Sequence, residues 1–204
     1  MILSNVTGLI FASFDTSCIA MSWINFAFAR YPDWQEKCRA EVDEVLGDET
    51  EPKYNQLVEL KVLETFIKET MRMWPPVPLI GRVNATEMTT AGHTIPARSW
   101  LEIGIWGAHH NPDIWENPDV FDPSRFDEKK KIVNYSFIPF SAGPRGCLGR
   151  VFAMNELKTM TAMLLKEFVF TPDMTLPEPQ IRAEIMLLCK DGLRVLATPR
   201  EPVH

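Results

Sequence analysis

The sequence predicts a mostly α-helical protein with a minor β part. Apolar residues recur at helical spacing in three long stretches, residues 2–30, 57–74 and 151–168. Most prolines lie between residues 75 and 144, where turns and short extended segments are expected. Near the C-terminus, a short apolar run surrounds Asp191-Gly192, a pair that is typical of a β turn.

The first two helices are expected to follow directly on each other. Residues 2–30 are predicted to form one long helix, which ends before Pro32. Residues 32–47 alternate apolar and charged positions in the manner of an amphipathic helix. Pro32 suits the first turn of that helix and Gly47 suits its end, because proline and glycine are tolerated at those positions.

The middle of the chain is expected to pass from helix to strand. The helix over residues 57–74 stops at Pro75-Pro76. Two short strands are predicted between residues 83 and 106, joined around Gly92. The second strand is expected to carry Ile103, Ile105 and Trp106.

The last third of the chain is expected to end in a hairpin. Residues 111–126 form a connector interrupted by prolines, and residues 151–168 form a helix. The run from 187 to 197 is predicted to be a β-hairpin with Asp191-Gly192 at its turn.

Composition restricts the function classes. The 204 residues suit a single domain, and a net charge of −6 without a basic stripe argues against a nucleic-acid partner. The 4 cysteines have no zinc-ligand spacing and form no disulfide framework, which favours a reducing compartment.

The apolar first 29 residues lack a basic n-region and are interrupted by Asp15, so a core helix is expected there rather than a signal peptide or membrane span.

One cysteine stands in an unusual setting, PFSAGPRGCLGR at residues 139–150. Cys147 precedes a predicted helix, whose free N–H groups and dipole favour a thiolate. The glycines Gly143 and Gly149 let the backbone approach a flat or bulky group, and Arg145 adds positive charge. The alternative is an inert core cysteine.

Several thiolate chemistries can be compared for this loop. A cysteine-protease nucleophile needs a positioned histidine, and the surroundings of the histidines resemble no protease signature. A phosphatase-type loop would place its arginine further after the cysteine, and the glycine spacing does not fit a dinucleotide fingerprint. The remaining chemistry is a single thiolate as axial ligand to heme iron.

The same stretch supports a resemblance. Phe140 to Gly149 fits FxxGxRxCxG, and this pattern resembles the heme-binding signature of the cytochrome P-450 family of heme-thiolate monooxygenases. The resemblance implies heme b (iron protoporphyrin IX) as cofactor and Cys147 as its metal ligand. It further implies that Phe140, Gly143, Arg145 and Gly149 help to bind the heme.

A second motif lies far upstream, at residues 12–17. Its letters ASFDTS resemble the family's (A/G)Gx(D/E)T(T/S), in the long helix that crosses the oxygen-binding face of the heme. The resemblance implies that Asp15 and Thr16 relay protons to bound oxygen and that Ala12 borders the heme. The structural alternative is that the hydroxyls bond back to helix carbonyls while Asp15 pairs elsewhere. Ser13 departs from the family glycine.

A third motif, Glu69-Thr70-Met71-Arg72, resembles the family's ExxR, and residues three apart share one side of a helix. The resemblance implies that Arg125, in a later proline-containing segment, joins Glu69 and Arg72 in a structural network. The alternative is a surface ion pair of little energetic value.

The remaining expected contacts involve the segment after the proline turn. The resemblance implies that Arg82 binds a heme propionate, although a solvated strand end is the alternative. It also implies that Val77, Leu79 and Ile80 line an apolar substrate pocket, against the alternative of plain core packing. His109 is expected to be a structural histidine.

The resemblance covers nearly the whole chain but only the C-terminal portion of the family's fold. Residues 1–204 are therefore expected to be one partial domain, a fragment of a larger monooxygenase. The implied partners are O₂, a hydrophobic small molecule and an NADPH-dependent reductase, with no nucleic acid. A full-length eukaryotic member would lie on the cytoplasmic face of the endoplasmic reticulum, and a chain without its anchor is expected in the cytoplasm.

Two alternatives to catalysis remain open from the sequence. One is a non-catalytic remnant that binds heme weakly or acts only as an interaction protein. The other is an anchored interaction protein whose first helix inserts in a membrane.

Overall fold

The computed structural model describes residues 2–175 and 179–201 of the chain. Within these ranges the fold is mostly helical with small antiparallel sheets, as the sequence predicts. The helices are α1 (Ile2–Arg30), α2 (Pro32–Leu46), α3 (Lys61–Met73), α4 (Ile105–His109) and α5 (Arg150–Glu167). The strands are β1 (Leu79–Val83), β2 (Met88–Thr90), β3 (His93–Ile95), β4 (Trp100–Gly104), β5 (Phe168–Pro172), β6 (Ile181–Ala183), β7 (Leu187–Cys189) and β8 (Val195–Pro199).

The helix boundaries follow local signals, with one exception at α3. Pro32 opens α2, and Gly47 ends it with a positive φ of 57°. The expected start of α3 at residue 57 is wrong, because Gln56–Val58 forms a separate 3-10 turn. The Glu41 carboxylate accepts the backbone N–H groups of Val62 and Leu63 at 2.7 and 2.8 Å, so a side chain of α2 caps the observed first turn of α3.

Aromatic stacking joins α1 to α3 in the core. The Phe28 and Phe66 rings stack at 4.1 Å between centroids, and Trp23 stacks on Trp74 at 5.1 Å. The Trp23 indole N–H also donates to the Leu187 carbonyl at 3.1 Å, so the hydrogen-bond donor of this buried ring has a partner. This core holds α1 against the helix that carries Glu69.

The β segment after α3 contains more strands than expected. β1 pairs with β4, and the turn at Gly92 joins a separate pair, β2 and β3. The prediction that Ile105 and Trp106 lie on a strand is wrong, because both begin α4. The Trp106 N–H donates to the Pro78 carbonyl at 3.1 Å and its carbonyl accepts from His110, which turns the chain out of the sheet.

The predicted hairpin over residues 187–197 is also wrong. β7 pairs with β6, whereas β8 pairs with β5 at the end of α5. Asp191-Gly192 does form a turn, in which Gly192 has a φ of 77°. The flanking strands separate because Leu187 is buried and its N–H donates to the Pro76 carbonyl at 2.9 Å, a partner that local sequence cannot reveal.

The two halves of α1 have different surroundings. Its C-terminal half is buried against the core, from Ala20 to Ala29. Its N-terminal half exposes large apolar side chains, including Leu3 and Phe11. By length and composition, α1 is apolar enough to cross a membrane. The stretch of α1 that meets this test is not buried, so the expected core helix is wrong for the N-terminal half. The expectation is confirmed for the C-terminal half, where Trp23 packs on Trp74.

Candidate heme site

A cavity of about 370 Å³ lies between α1, the segment around β1 and the loop before α5. Its lining is largely apolar, and three of the lining residues carry charged side chains. These charged residues are Arg82, Arg145 and Glu156. Nine predicted site residues meet here, namely Ala12, Thr16, Val77, Ile80, Arg82, Phe140, Arg145, Cys147 and Gly149, whereas Asp15, Leu79 and Gly143 lie outside the lining.

The Cys147 loop presents its sulfur on the surface rather than in the core. Cys147 is exposed, and its N–H donates to the Phe140 carbonyl at 2.9 Å, which closes the loop at its base. Gly143 has a φ of 71°, a conformation that other residues rarely adopt, and its carbonyl accepts from Gly146 at 3.0 Å. A Cβ at Gly146 would lie 3.2 Å from that carbonyl oxygen. The glycines therefore permit the tight turn that points the thiol outward.

The α1 side of the cavity carries small and hydroxyl side chains. The Thr16 hydroxyl lines the cavity and donates to the Ala12 carbonyl at 2.7 Å, the back-bonding arrangement that was the structural alternative for this motif. Its oxygen keeps acceptor capacity toward the cavity. Asp15 is half-buried beside it but does not border the cavity.

The segment around β1 supplies one cation and several apolar groups. Arg82 donates to the Gly81 carbonyl at 2.8 Å and to the Ser141 hydroxyl at 3.2 Å, so β1 and the Cys147 loop are linked at the cavity wall. Val77 and Ile80 border the cavity, whereas Leu79 points to solvent with 46% of its surface exposed.

Glu69 and Arg72 form a fully buried ion pair inside α3. The Arg72 guanidinium donates Nε–H to Glu69 Oε2 at 2.7 Å and Nη2–H to Oε1 at 2.9 Å. Both side chains have no exposed surface. The backbone N–H of Asp122 adds a further bond to Glu69 Oε1 at 2.7 Å. Burial raises the pKa of the Glu69 carboxyl, while the hydrogen bonds and charge of Arg72 act in the opposite direction.

Arg125 reaches the same pair from the connector. Its Nε lies 3.5 Å from Glu69 Oε1, beyond good hydrogen-bond geometry. Its other nitrogens bond the carbonyls of Glu116 at 2.6 Å and Asn117 at 2.9 Å. Thus Glu69, Arg72 and Arg125 lie in contact, and we call this group the buried cluster.

His109 connects the buried cluster to the Cys147 loop. Its carbonyl accepts from Arg72 Nη1 at 2.9 Å, and its ring Nε2 accepts the backbone N–H of Ile138 at 2.9 Å. Ile138 lies just before Phe140, whose carbonyl binds the Cys147 N–H. Burial lowers the pKa of His109 to about 3, so the ring is neutral and remains an acceptor at neutral pH.

Sequence reasoning missed one polar pair in the cavity. Ser17 on α1 donates from Oγ to Glu156 Oε2 on α5 at 2.7 Å, and both line the cavity. Helical spacing offered a signal, because Glu156 lies four residues after Phe152 and Ser17 lies three before Ala20, all cavity-lining positions. Spacing alone does not show that the two faces meet.

The donor set around Cys147 fits heme better than a metal ion held by protein alone. Among the residues that the structure describes, no group of three or more His, Cys, Asp or Glu side chains is placed to hold a metal. A single exposed thiol, two arginines and an apolar wall instead suit an apolar macrocycle with anionic substituents.

Comparison with known proteins identifies the class. The family model for cytochrome P-450 matches residues 1–196, so the chain belongs to the cytochrome P-450 family. Human cytochrome P-450 4A11 is 40% identical over 194 residues, which cover 94% of this chain and 37% of that protein. Rat cytochrome P-450 4F5 is 42% identical over 194 residues, which cover 93% of this chain and 36% of that protein. The chain thus spans little more than a third of these relatives.

Proposed function

We propose that the chain forms the catalytic part of a heme-thiolate monooxygenase that oxidises a hydrophobic small molecule with O₂. The observation that carries this proposal is the single cavity into which Cys147, Arg82, Arg145 and Thr16 converge from distant parts of the sequence. Family membership supports the same reaction class.

The residues present fit heme b. Cys147 would bind the iron through its thiolate, and Arg82 and Arg145 would pair with the propionates, since guanidinium groups form strong bonds to carboxylates. Phe140 and Gly149 would border the macrocycle. When bound, the heme supplies O₂ activation, which the thiolate promotes by donating electron density.

The other cavity residues would bind, orient and move protons. The Thr16 hydroxyl oxygen can accept a hydrogen bond from a cavity water while its own proton rests on the Ala12 carbonyl. Asp15 precedes Thr16 in α1 and is half-buried but lies outside the cavity lining, so it would exchange protons with that site through solvent. Val77 and Ile80 would exclude water and contact an apolar substrate.

The remaining partners follow from the reaction class. Two electrons per turnover would come from NADPH through a reductase, and the net charge of −6 gives no support for a nucleic-acid partner. We place the full-length protein at the cytoplasmic face of the endoplasmic reticulum membrane. Residues 1–204 would form one partial domain of it.

A second candidate is a non-catalytic chain that binds heme weakly or acts only in protein interactions. The exposed apolar side chains in the first half of α1 favour it, because such contiguous surface usually meets a partner. Spectroscopy separates the two candidates.

The decisive experiment is the difference spectrum of the purified chain with hemin, reduced and exposed to carbon monoxide. A strongly red-shifted Soret band is expected, and Cys147→Ser should abolish it. Cys18→Ser is the matched control, because Cys18 is also exposed but does not line the cavity. A Cys147→Ser chain that kept the shifted band would overturn the assignment of Cys147 as the iron ligand. A wild-type chain without any such band would favour the non-catalytic candidate.

A further inference from the structure

Ser17 and Glu156 meet where α1 and α5 separate around the cavity. The Ser17 hydroxyl donates to Glu156 Oε2 at 2.7 Å across 139 residues of sequence. One turn further along α1, Thr161 Oγ1 of α5 contacts the Met21 sulfur at 3.7 Å inside the core. Before Ser17, the α1 side chains from Ile2 to Phe14 are exposed. The pair is therefore the polar contact at the cavity end of this helix interface.

Packing alone does not account for a carboxylate at this position. The lining around Glu156 is largely apolar, and Glu156 forms no ion pair with any cation in the described ranges. Its bond to Ser17 is short, at 2.7 Å, and a carboxylate acceptor makes such a bond stronger than a bond between neutral groups. A half-buried charge with one strong cross-helix bond constrains the spacing of the two helices more than an apolar contact would.

The two helices that the pair joins carry the predicted functional groups. Thr16 directly precedes Ser17, and α5 begins three residues after Cys147. The carbonyl of Gly149 accepts the N–H of Ala153 at 2.8 Å, so the loop end and the first turn of α5 are continuous. A change in the distance between Ser17 and Glu156 therefore changes the width of the cavity between Thr16 and Cys147.

We propose that Ser17 and Glu156 are a positioning pair that sets the spacing between the Thr16 face of α1 and the Cys147 loop. Neither residue touches the reacting atoms; both act through the groups beside them. The consequence for heme binding rests on the proposed function, whereas the consequence for the spacing of the helices does not.

The test uses Ser17→Ala, Glu156→Ala and the double variant. Controls are Ser22→Ala, whose hydroxyl bonds only its own helix at the Cys18 carbonyl, and Glu167→Gln, an exposed carboxylate on α5. The first readout is amide hydrogen exchange of the heme-free chain over residues 10–17 and 140–156. The second is the dissociation constant for hemin, measured by absorbance titration.

Each single variant should speed exchange in both segments and raise the hemin dissociation constant about tenfold, the usual effect of losing one charge-assisted hydrogen bond. The double variant should be no worse than either single variant, because both remove the same bond. Ser17→Thr, which keeps the hydroxyl, should restore binding to within about twofold.

Three results would overturn the proposal. These are additive effects of the two substitutions, an effect no larger than that of the controls, and a change in unfolding free energy without any change in the hemin constant. The wild-type chain could lack the red-shifted band while the variants still show the expected faster amide exchange. In that case the proposed function fails, but the positioning role of the pair in the heme-free fold is supported. If the variants leave amide hydrogen exchange unchanged, Ser17 and Glu156 are not a positioning pair, whatever the spectrum shows.

Discussion

The buried cluster and the Cys147 loop differ in burial, in hydrogen bonding and in what each can contribute. Glu69 and Arg72 have no exposed surface, and they bond to each other, to the carbonyls of His109 and Val120 and to the backbone N–H of Asp122. Cys147, in contrast, is exposed, and its backbone N–H donates to the Phe140 carbonyl. Removing a member of the first region leaves a buried charge, whereas removing the thiol leaves only an exposed methyl group. The buried side chains that stabilise the fold and the exposed thiol that we propose as the heme ligand therefore lie in separate regions.

His109 is the contact through which the first region can position the second. The His109 carbonyl accepts a hydrogen bond from Arg72, and its ring Nε2 accepts one from the backbone N–H of Ile138 at the start of the loop. The loop can stay open to a ligand because its base is attached to a rigid, desolvated cluster.

Breaking the buried cluster should have the largest effect. Glu69→Ala leaves Arg72 charged and buried, so the free energy of unfolding should fall by about 3–5 kcal/mol, measured by urea denaturation. Glu49→Ala is the control, because its ion pair with Lys53 is exposed and should contribute under about 1 kcal/mol. Should Glu69→Ala fail to fold, Glu69→Gln, which keeps the acceptor, provides a measurable loss. Equal effects at Glu69 and Glu49 would contradict the comparison.

Protonation of His109 should produce an intermediate, pH-dependent effect. Burial lowers its pKa from the usual 6.5 to about 3, so folding favours the neutral ring. The contribution of His109 to the free energy of unfolding is therefore fully present above pH 6.5. It is lost as the pH falls toward 3, at up to about 1.4 kcal/mol per pH unit.

The His109 contribution can be separated from that of the carboxylates by a variant. His109→Gln keeps an acceptor for the Ile138 N–H but does not titrate. Urea denaturation at several pH values should therefore give a shallower acid slope for the variant than for the wild type. Parallel slopes would mean that His109 does not link folding to pH.

Changing the thiol should have the smallest effect on stability. Cys147→Ala removes an exposed sulfur, so the free energy of unfolding of the heme-free chain should change by less than about 0.5 kcal/mol. Urea denaturation without hemin measures this. A loss comparable to that of Glu69→Ala would show that the loop belongs to the stabilising core.

Much of the fold and of the site could be predicted from sequence because the responsible signals are local. Pro32 and Gly47 bound α2, and Pro75 lies just beyond the end of α3. The cysteine loop is a ten-residue pattern with glycines where the backbone must turn, and Glu69 pairs with Arg72 within one helix turn. Each such signal depends on residues that are close in the chain, so no tertiary knowledge is needed to interpret it.

Tertiary structure decided the features that join distant residues. The turn at Gly192 is local, but β7 and β8 pair with strands that lie elsewhere in the sheets. Likewise, the carboxylate that borders the cavity is Glu156 and not Asp15, because the rotation of α1 and α5 about their axes depends on their packing. Local sequence determines which backbone conformation each segment prefers. Which side chains meet across 139 residues is set by burial of the whole core, which no single segment encodes.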